Sequence, residues 1–352
     1  KPVNPSWIGG KQKLKPMNTI QHHTFHIPVM GIGYTIDTPI KVAHYGISSV
    51  ISLVDDMLIE RMREFHSLRM GLPFQAITDK IDDFRAKRIT AYLNLLDSIV
   101  KQKFEDVKNS LISKSEELEK YFNMLPDSAE IKGRFNQIKN HKISEMRKWV
   151  NKNLSIGSID VNIMTKLDKE NYRGEELLGP EYNDAHAALR GFANSSLESG
   201  IVLSAGMNPR LYSYFENFED FFPDKEGEIK KKIILKVSDY RSALIQGKFL
   251  AKKGLWISEY RIESGLNCGG HAFATQGFLM GPILAEFRDN RQYLKDTLFE
   301  IYSAALKEKN KNIPSSAPIV KLTAQGGVGT TEEHNFLISE YNLDSVGWGT
   351  PF

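Results

Sequence analysis

The chain has 352 residues, 41% hydrophobic and 25% charged, which is ordinary globular composition with ample length for a sizeable core. The net charge of +3 and the lack of a dense Lys/Arg stripe give no electrostatic case for nucleic acid, and no run of about eighteen apolar residues marks a membrane span. A single cysteine, Cys268, excludes an internal disulfide framework and a cysteine-only zinc or iron–sulfur site.

Residues 1–24 are polar and turn-rich and read as a flank. Lys1 opens a segment with no apolar signal core, so a cytoplasmic protein is expected. His22, His23 and His26 have metal-like spacing, but no carboxylate or cysteine joins them and they read as structural. A first strand spans 25–33. Gly31 and Gly33 lack the third glycine of a dinucleotide fingerprint. A helix over 38–45 follows, with Pro39 in its first turn and Gly46 as its cap, then a second strand over 48–54. This β–α–β start predicts a parallel sheet.

The pattern is then interrupted. From 79 to 149 the sequence is helical and charged, with Ile81, Phe84, Ile89, Leu93, Leu96, Val100, Phe104, Val107 and Leu111 mostly at three- and four-residue steps. Pro126 breaks the run, and a second helix is predicted over 129–151. Residues 76–151 therefore read as an inserted helical hairpin. Its charges form a solvated face, with a dimerisation arm or an active-site lid as the sharper alternatives.

The alternation resumes with a strand over 158–164, a helix over 182–197 and strands over 200–206 and 232–237. A helix over 239–252, a strand over 255–260 and a long helix over 277–309 follow. Two short apolar strands, starting near Ile319 and Leu343, then each end in a glycine cluster. The helix between them opens on Thr330-Thr331-Glu332-Glu333, which fits a capping box. Eight strands alternating with helices predict a TIM (β/α)8 barrel from 25–75 and 152–352. Such a barrel needs roughly 250 residues, which leaves room for the insertion. The chain reaches Phe352 where an eighth helix would follow, so a longer polypeptide is expected.

Barrel chemistry sits at the C-terminal ends of the strands. Those ends carry Met30, Gly31, Asn162, Ser204, Gly206, Lys236, Gly269, Gly270, His271, Gln325, Gly326, Gly327, Gly347, Trp348, Gly349 and Thr350. Two glycine loops and a helix N-terminus suit a phosphate monoester. Asn162 and Lys236 could then contact a polar ring or ribityl chain, and His271 is the natural acid/base.

The segment Glu263-Ser264-Gly265-Leu266-Asn267-Cys268-Gly269-Gly270-His271-Ala272 resembles the Glu-(Ala/Ser)-Gly-Gly-His signature of the nitronate monooxygenase (2-nitropropane dioxygenase) family. Flavin-dependent enoyl-acyl-carrier-protein reductases belong to the same group. Residues 321–328 and 343–352 resemble its strand-seven and strand-eight segments, and 27–33 and 160–164 its first and third strands. The resemblance implies an FMN-binding barrel with phosphate contacts at Gly326, Gly327, Gly349 and Thr350. It implies flavin contacts at Met30, Gly31, Asn162 and Lys236, and a catalytic His271. It further implies oxidation of a small anion such as a nitronate, or reduction of an enoyl thioester with NADH or NADPH as donor.

Departures from the family pattern are visible. Leu266, Asn267 and Cys268 are inserted before the second glycine, Gln325 stands where alanine is common, and Trp348 either walls the flavin or packs. Cys268 at the mouth opens the alternative of a cysteine-dependent, nucleotide-binding barrel resembling inosine monophosphate dehydrogenase. A non-catalytic flavin-binding barrel that recruits a partner through the hairpin is the remaining alternative, and the hairpin is also the expected route to a homo-oligomer.

Overall fold

Short runs rich in isoleucine, valine and leucine form the strands, because β-branched side chains pack well on a pleated surface buried on both faces. In the computed structural model the described residues are 22–31, 33–113, 116–127, 129–139, 141–204, 206–268, 271–272 and 279–349. Eight parallel strands close into a barrel: β1 Phe25–Ile27, β2 Ser48–Ser52, β3 Ile159–Met164, β4 Gly200–Ser204, β5 Lys232–Val237, β6 Ile257–Ile262, β7 Lys321–Gln325 and β8 Ser345–Gly347. Neighbours in the chain are neighbours in the barrel, and β8 closes onto β1 through Phe25↔Val346 and His26↔Gly347. The (β/α)8 expectation is therefore met.

Strand alternation sorts the side chains. On β3, Ile159, Val161 and Ile163 face outward into the main core with the covering helices, while Asp160 and Asn162 face the barrel interior. Inside, Val50, Val202 and Ile234 make a small separate apolar cluster. β1 is shorter than expected because Pro28 follows Ile27 and has no N–H to continue the ladder. β6 lies two residues later than expected, and Glu259 and Arg261 occupy its inward-facing positions.

The insertion differs from a two-helix hairpin. Four helices occupy it: α3 Phe84–Ser113, α4 Glu117–Asn123, α5 Glu130–Ile138 and α6 Ile143–Asn153. They are preceded by α1 Thr38–Val42 and by α2 Asp56–Arg69, which the sequence pattern did not reveal. The apolar periodicity of α3 is real but serves two cores. Ile89, Leu93, Leu96, Ile99 and Val100 pack on the barrel, so the first part of α3 is the covering helix between β2 and β3. Phe104 and Val107 instead join Tyr45, Tyr121, Phe122, Phe135 and Val150 in a second core with α4–α6. Within it, Phe122 and Phe135 stack with centroids 3.8 Å apart.

This second core lies at the N-terminal end of the barrel. Tyr45 and Gly46 immediately precede β2; the Tyr45 hydroxyl donates to Glu117 at 2.5 Å. A side chain at Gly46 (φ +83°) would meet the Tyr121 hydroxyl at 2.9 Å. Helices α4–α6 therefore sit opposite the strands' C-terminal mouth, and the lid expectation is corrected. The remaining helices are α7 Asp184–Ala193, α8 Pro209–Tyr214, α9 Tyr240–Ala251, α10 Met280–Glu308 and α11 Thr331–Tyr341. No described helix is long and apolar enough to cross a membrane.

Candidate active site at the barrel mouth

Charged side chains inside a barrel must be paired, and the deepest ones are. Arg261 of β6 donates through Nε to Glu259 at 2.6 Å and through Nη2 to Asp160 of β3 at 2.8 Å. All three are buried. Glu259 also accepts from Thr323 Oγ1 at 2.8 Å, and Asp160 from Ser158 Oγ at 2.6 Å and the Gly200 N–H at 2.9 Å. Burial alone would raise the Glu259 carboxyl, but the charge and hydrogen bond of Arg261 outweigh it and hold the group below its ordinary value. The same carboxylates raise Arg261 against its own desolvation. Sequence reasoning missed this triad. Its signal is the acidic and basic residues at alternate positions 259 and 261 of a mostly apolar strand.

A second polar layer lies above the triad. Lys236 pairs with Arg261 in register, so it shares the inward face of β5, and its Nζ reaches the Glu263 carboxylate at 3.0 Å. Gln325 of β7 donates through Nε2 to the other Glu263 oxygen at 3.1 Å. Both ends of this ion pair are largely buried. Beside Gln325 lies His26, whose Nδ1 is 3.4 Å from Ser345 Oγ. Burial pushes the His26 imidazole well below its usual range and Arg261 adds to the push, so the ring is neutral. Gly347 makes room for both. A Cβ there would stand 2.6 Å from Gln325 Cβ and 3.1 Å from His26 Nε2. Asn162 is buried one inward position above Asp160. The structure thus brings Asn162, Lys236, Gln325 and Gly347 together at the mouth and adds Glu263 and His26. Met30 and Gly31 (φ +111°) lie on the loop after β1, half-buried and exposed respectively.

The β7 loop carries the proposed anion donors. Gly326 and Gly327 have φ of +115° and +68°, conformations that glycine adopts without strain. A Cβ on Gly326 would come within 2.5 Å of the Asn267 carbonyl carbon, so this glycine also permits close packing of the β6 loop. The expected capping box is present: Thr330 Oγ1 accepts from the Glu333 N–H, and the Glu333 carboxylate accepts from Thr330 N–H at 3.1 Å and Gly329 N–H at 2.8 Å. The turn before α11 already gathers N–H groups around a negative charge. Neither Gly327 nor Val328 spends its N–H on a protein acceptor among the described residues. A cavity of about 410 Å³ opens beside this loop, lined by Asn267, Met280, Gly327, Val328 and Phe336.

The β6 loop absorbs the extra residues as a turn and a hairpin. Ser264 and Asn267 exchange backbone hydrogen bonds at 2.9 and 3.3 Å. Asn267–Cys268 then pairs antiparallel with His271–Ala272, setting Cys268 opposite His271. Gly269, Gly270 and Thr350 lie outside the described residues. Gly349 is buried at the end of β8. Trp348 does not face the mouth: its Nε1–H donates to His334 Nδ1 of α11 at 3.0 Å, and His334 Nε2 in turn meets Thr24 Oγ1 at 2.9 Å. Its expected contact with a flavin is corrected, because the indole is anchored between strand and helix.

The three N-terminal histidines do not converge. His22 Nε2 meets the Asn153 carbonyl at 2.7 Å, His23 Nε2 the Tyr45 carbonyl at 3.2 Å, and His26 points into the barrel. Among the described residues no group of three or more His, Cys, Asp or Glu side chains is placed to hold a metal ion. No protein-family model matches the chain, and no curated protein matches it.

Proposed function

We propose that the chain is an FMN-dependent oxidoreductase similar to the nitronate monooxygenases. The observation that carries this reading is the pairing of two donor sets at one barrel mouth. The Gly327 and Val328 N–H groups of the β7 loop meet no acceptor among the described residues, and Lys236, Gln325 and Asn162 stand inside the adjoining strand ends. Two features support FMN as the occupant. The Gly329 and Thr330 N–H groups are taken by Glu333, so a phosphate would be held by the Gly327 and Val328 N–H groups just before them, near the α11 N-terminus. The interior amides and ammonium match the carbonyls and N–H at the edge of a flavin ring.

FMN when bound supplies the hydride or electron transfer. The chain's part is to hold it and to manage the proton. Gly327 and Val328 would hold the phosphate, and Asn162, Lys236 and Gln325 would orient the ring. The resemblance assigns the proton to His271, on the hairpin whose first arm packs on Gly326. The substrate on this reading is a small oxidisable anion such as a nitronate, or an enoyl thioester with NADH or NADPH as donor, in a cytoplasmic protein.

Adding FMN to the purified chain is the test. Quenched flavin fluorescence and a shifted visible spectrum are expected, weakened about tenfold or more by Lys236→Met, and absence of any binding refutes the reading. His271→Ala is expected to keep FMN and lose turnover. The register of Cys268 opposite His271 favours one second reading, a cysteine nucleophile acting on a nucleotide. Activity that is lost on thiol alkylation and indifferent to FMN would select it.

A further inference from the structure

Helix α2 has two finished faces and one unfinished face. Ile59 is buried, Met62 packs on the main core, and His66 is buried beneath. A second side is closed by the loop that follows. Arg63 bonds Glu60 and the Gln75 carbonyl, and Glu60 accepts the Ile77 N–H at 2.7 Å. The third side points to solvent and carries Met57, Arg61, Glu64, Phe65 and Leu68. Met57 and Leu68 are each 66% exposed and Phe65 51%. Scattered exposed apolar residues need no explanation, but these lie on one stripe. Positions 57, 61, 64 and 68 step by four, three and four, which is the seam spacing of a coiled coil.

We propose that this face is a two-fold interface with the α2 helix of a second copy of the chain, packed antiparallel. The charges fix the orientation. With the axis between residues 62 and 63, Met57 meets the second copy's Leu68 and Arg61 meets its Glu64, and symmetry repeats both contacts. A parallel pairing would set Arg61 on Arg61 and Glu64 on Glu64. The seam is thus complementary to itself in one direction only, as an isologous contact requires. Arg61 and Glu64 already bond within the helix at 3.2 Å, so the dimer gathers four charges into one alternating cluster. Helix α2 is about 21 Å long at 1.5 Å per residue, so the contact is at the small end for stable complexes and a micromolar dimer is expected. The second copy docks here rather than on the predicted insertion.

Sedimentation equilibrium of the full chain across concentration tests this. The wild type is expected to dimerise. Arg61→Glu and Glu64→Arg are each expected to weaken the dimer about tenfold or more, and the double variant R61E/E64R to recover to within about threefold of the wild type. Leu68→Asp is expected to abolish it. The three substituted positions are on the surface, and unchanged circular dichroism checks that each variant is folded. A wild type that stays monomeric overturns the proposal. So does a dimer that Leu68→Asp leaves intact, or a charge-swapped double variant that does not recover. FMN binding by the monomeric variants separates this result from the fate of the flavin reading.

Discussion

Arg261→Met tests whether the barrel interior is organised by charge. One guanidinium serves two buried carboxylates, at 2.6 and 2.8 Å. Removing one partner of a buried ion pair costs roughly 3–5 kcal/mol, and here two partners lose it at once, so a loss of about 5 kcal/mol is expected. The Ser158, Thr323 and Gly200 bonds persist and keep the loss from being larger. The sign of its pH dependence follows from the same geometry. Without Arg261, burial raises the Glu259 carboxyl above its unfolded value, so the folded variant binds more protons than the unfolded chain and loses stability as pH rises. In the wild type Glu259 is held low, so its contribution is present above the unfolded value and is lost only as pH falls through the lowered one. Urea denaturation at pH 5 and pH 8 reads both effects. The deficit of Arg261→Met is expected to be larger at pH 8, and R261M/D160N/E259Q is expected to regain much of it. A loss under about 1 kcal/mol, or an equal loss at both pH values, would refute the reasoning.

Gly347→Ala drives a methyl against the Gln325 Cβ and His26 and should cost about 1–3 kcal/mol by thermal or chemical denaturation; G347A/Q325G, which removes the opposing Cβ, should recover part of it relative to Q325G alone, and no recovery would show that the contact is not the cause. His23 and His44 are each pushed down to about 4 by burial, so stability is full above about pH 6.5 and falls as pH drops toward 4. His23 alone should account for about 2 kcal/mol by pH 5, and His23→Gln should flatten the profile between pH 6.5 and 4. On the flavin reading, Glu263→Gln leaves Lys236 uncompensated and should raise the midpoint potential of bound FMN on the order of 20–60 mV, with Lys236→Met moving it the other way. A purely structural role for the pair would shift neither.

Much of the fold was legible because its cause is local. Apolar β-branched runs gave all eight strands, the span of β5 matched, and Thr330 with Glu333 announced the capping box of α11. Helix α2 escaped because Ile59 and Met62 face the core while Met57, Phe65 and Leu68 face out, which erases the single stripe that periodicity detects. The insertion was misdivided because one continuous stripe on α3 feeds two cores. At the site, Lys236, Asn162 and Gln325 were found from strand ends alone. The triad was not, because charges within a strand read as solvent-facing until a partner 101 residues away in sequence is known.

The mouth carries its charge in two layers. Below, two carboxylates and one guanidinium are fixed by short bonds and carry no free valence for chemistry. Above, Lys236 and Glu263 neutralise one another, and the Gln325 amide is turned by its bond to Glu263. Together with His26 beside Gln325, this layer ties the ends of β1, β5, β6 and β7 to one another. A site held on strands in this way is preorganised rather than assembled on binding. Because the ion pair is internally balanced, it offers directional hydrogen bonds rather than net charge. On the flavin reading, a neutral, flat, hydrogen-bonding ring would suit the interior, and a phosphate would sit at the β7 loop, where the Gly327 and Val328 N–H groups meet no acceptor among the described residues while those of Gly329 and Thr330 are taken by Glu333. Ring inside and phosphate at the rim would be the division of the site on that reading. Gln325 and Gly347 go together for a packing reason: the Gln325 side chain fits only because position 347 has none.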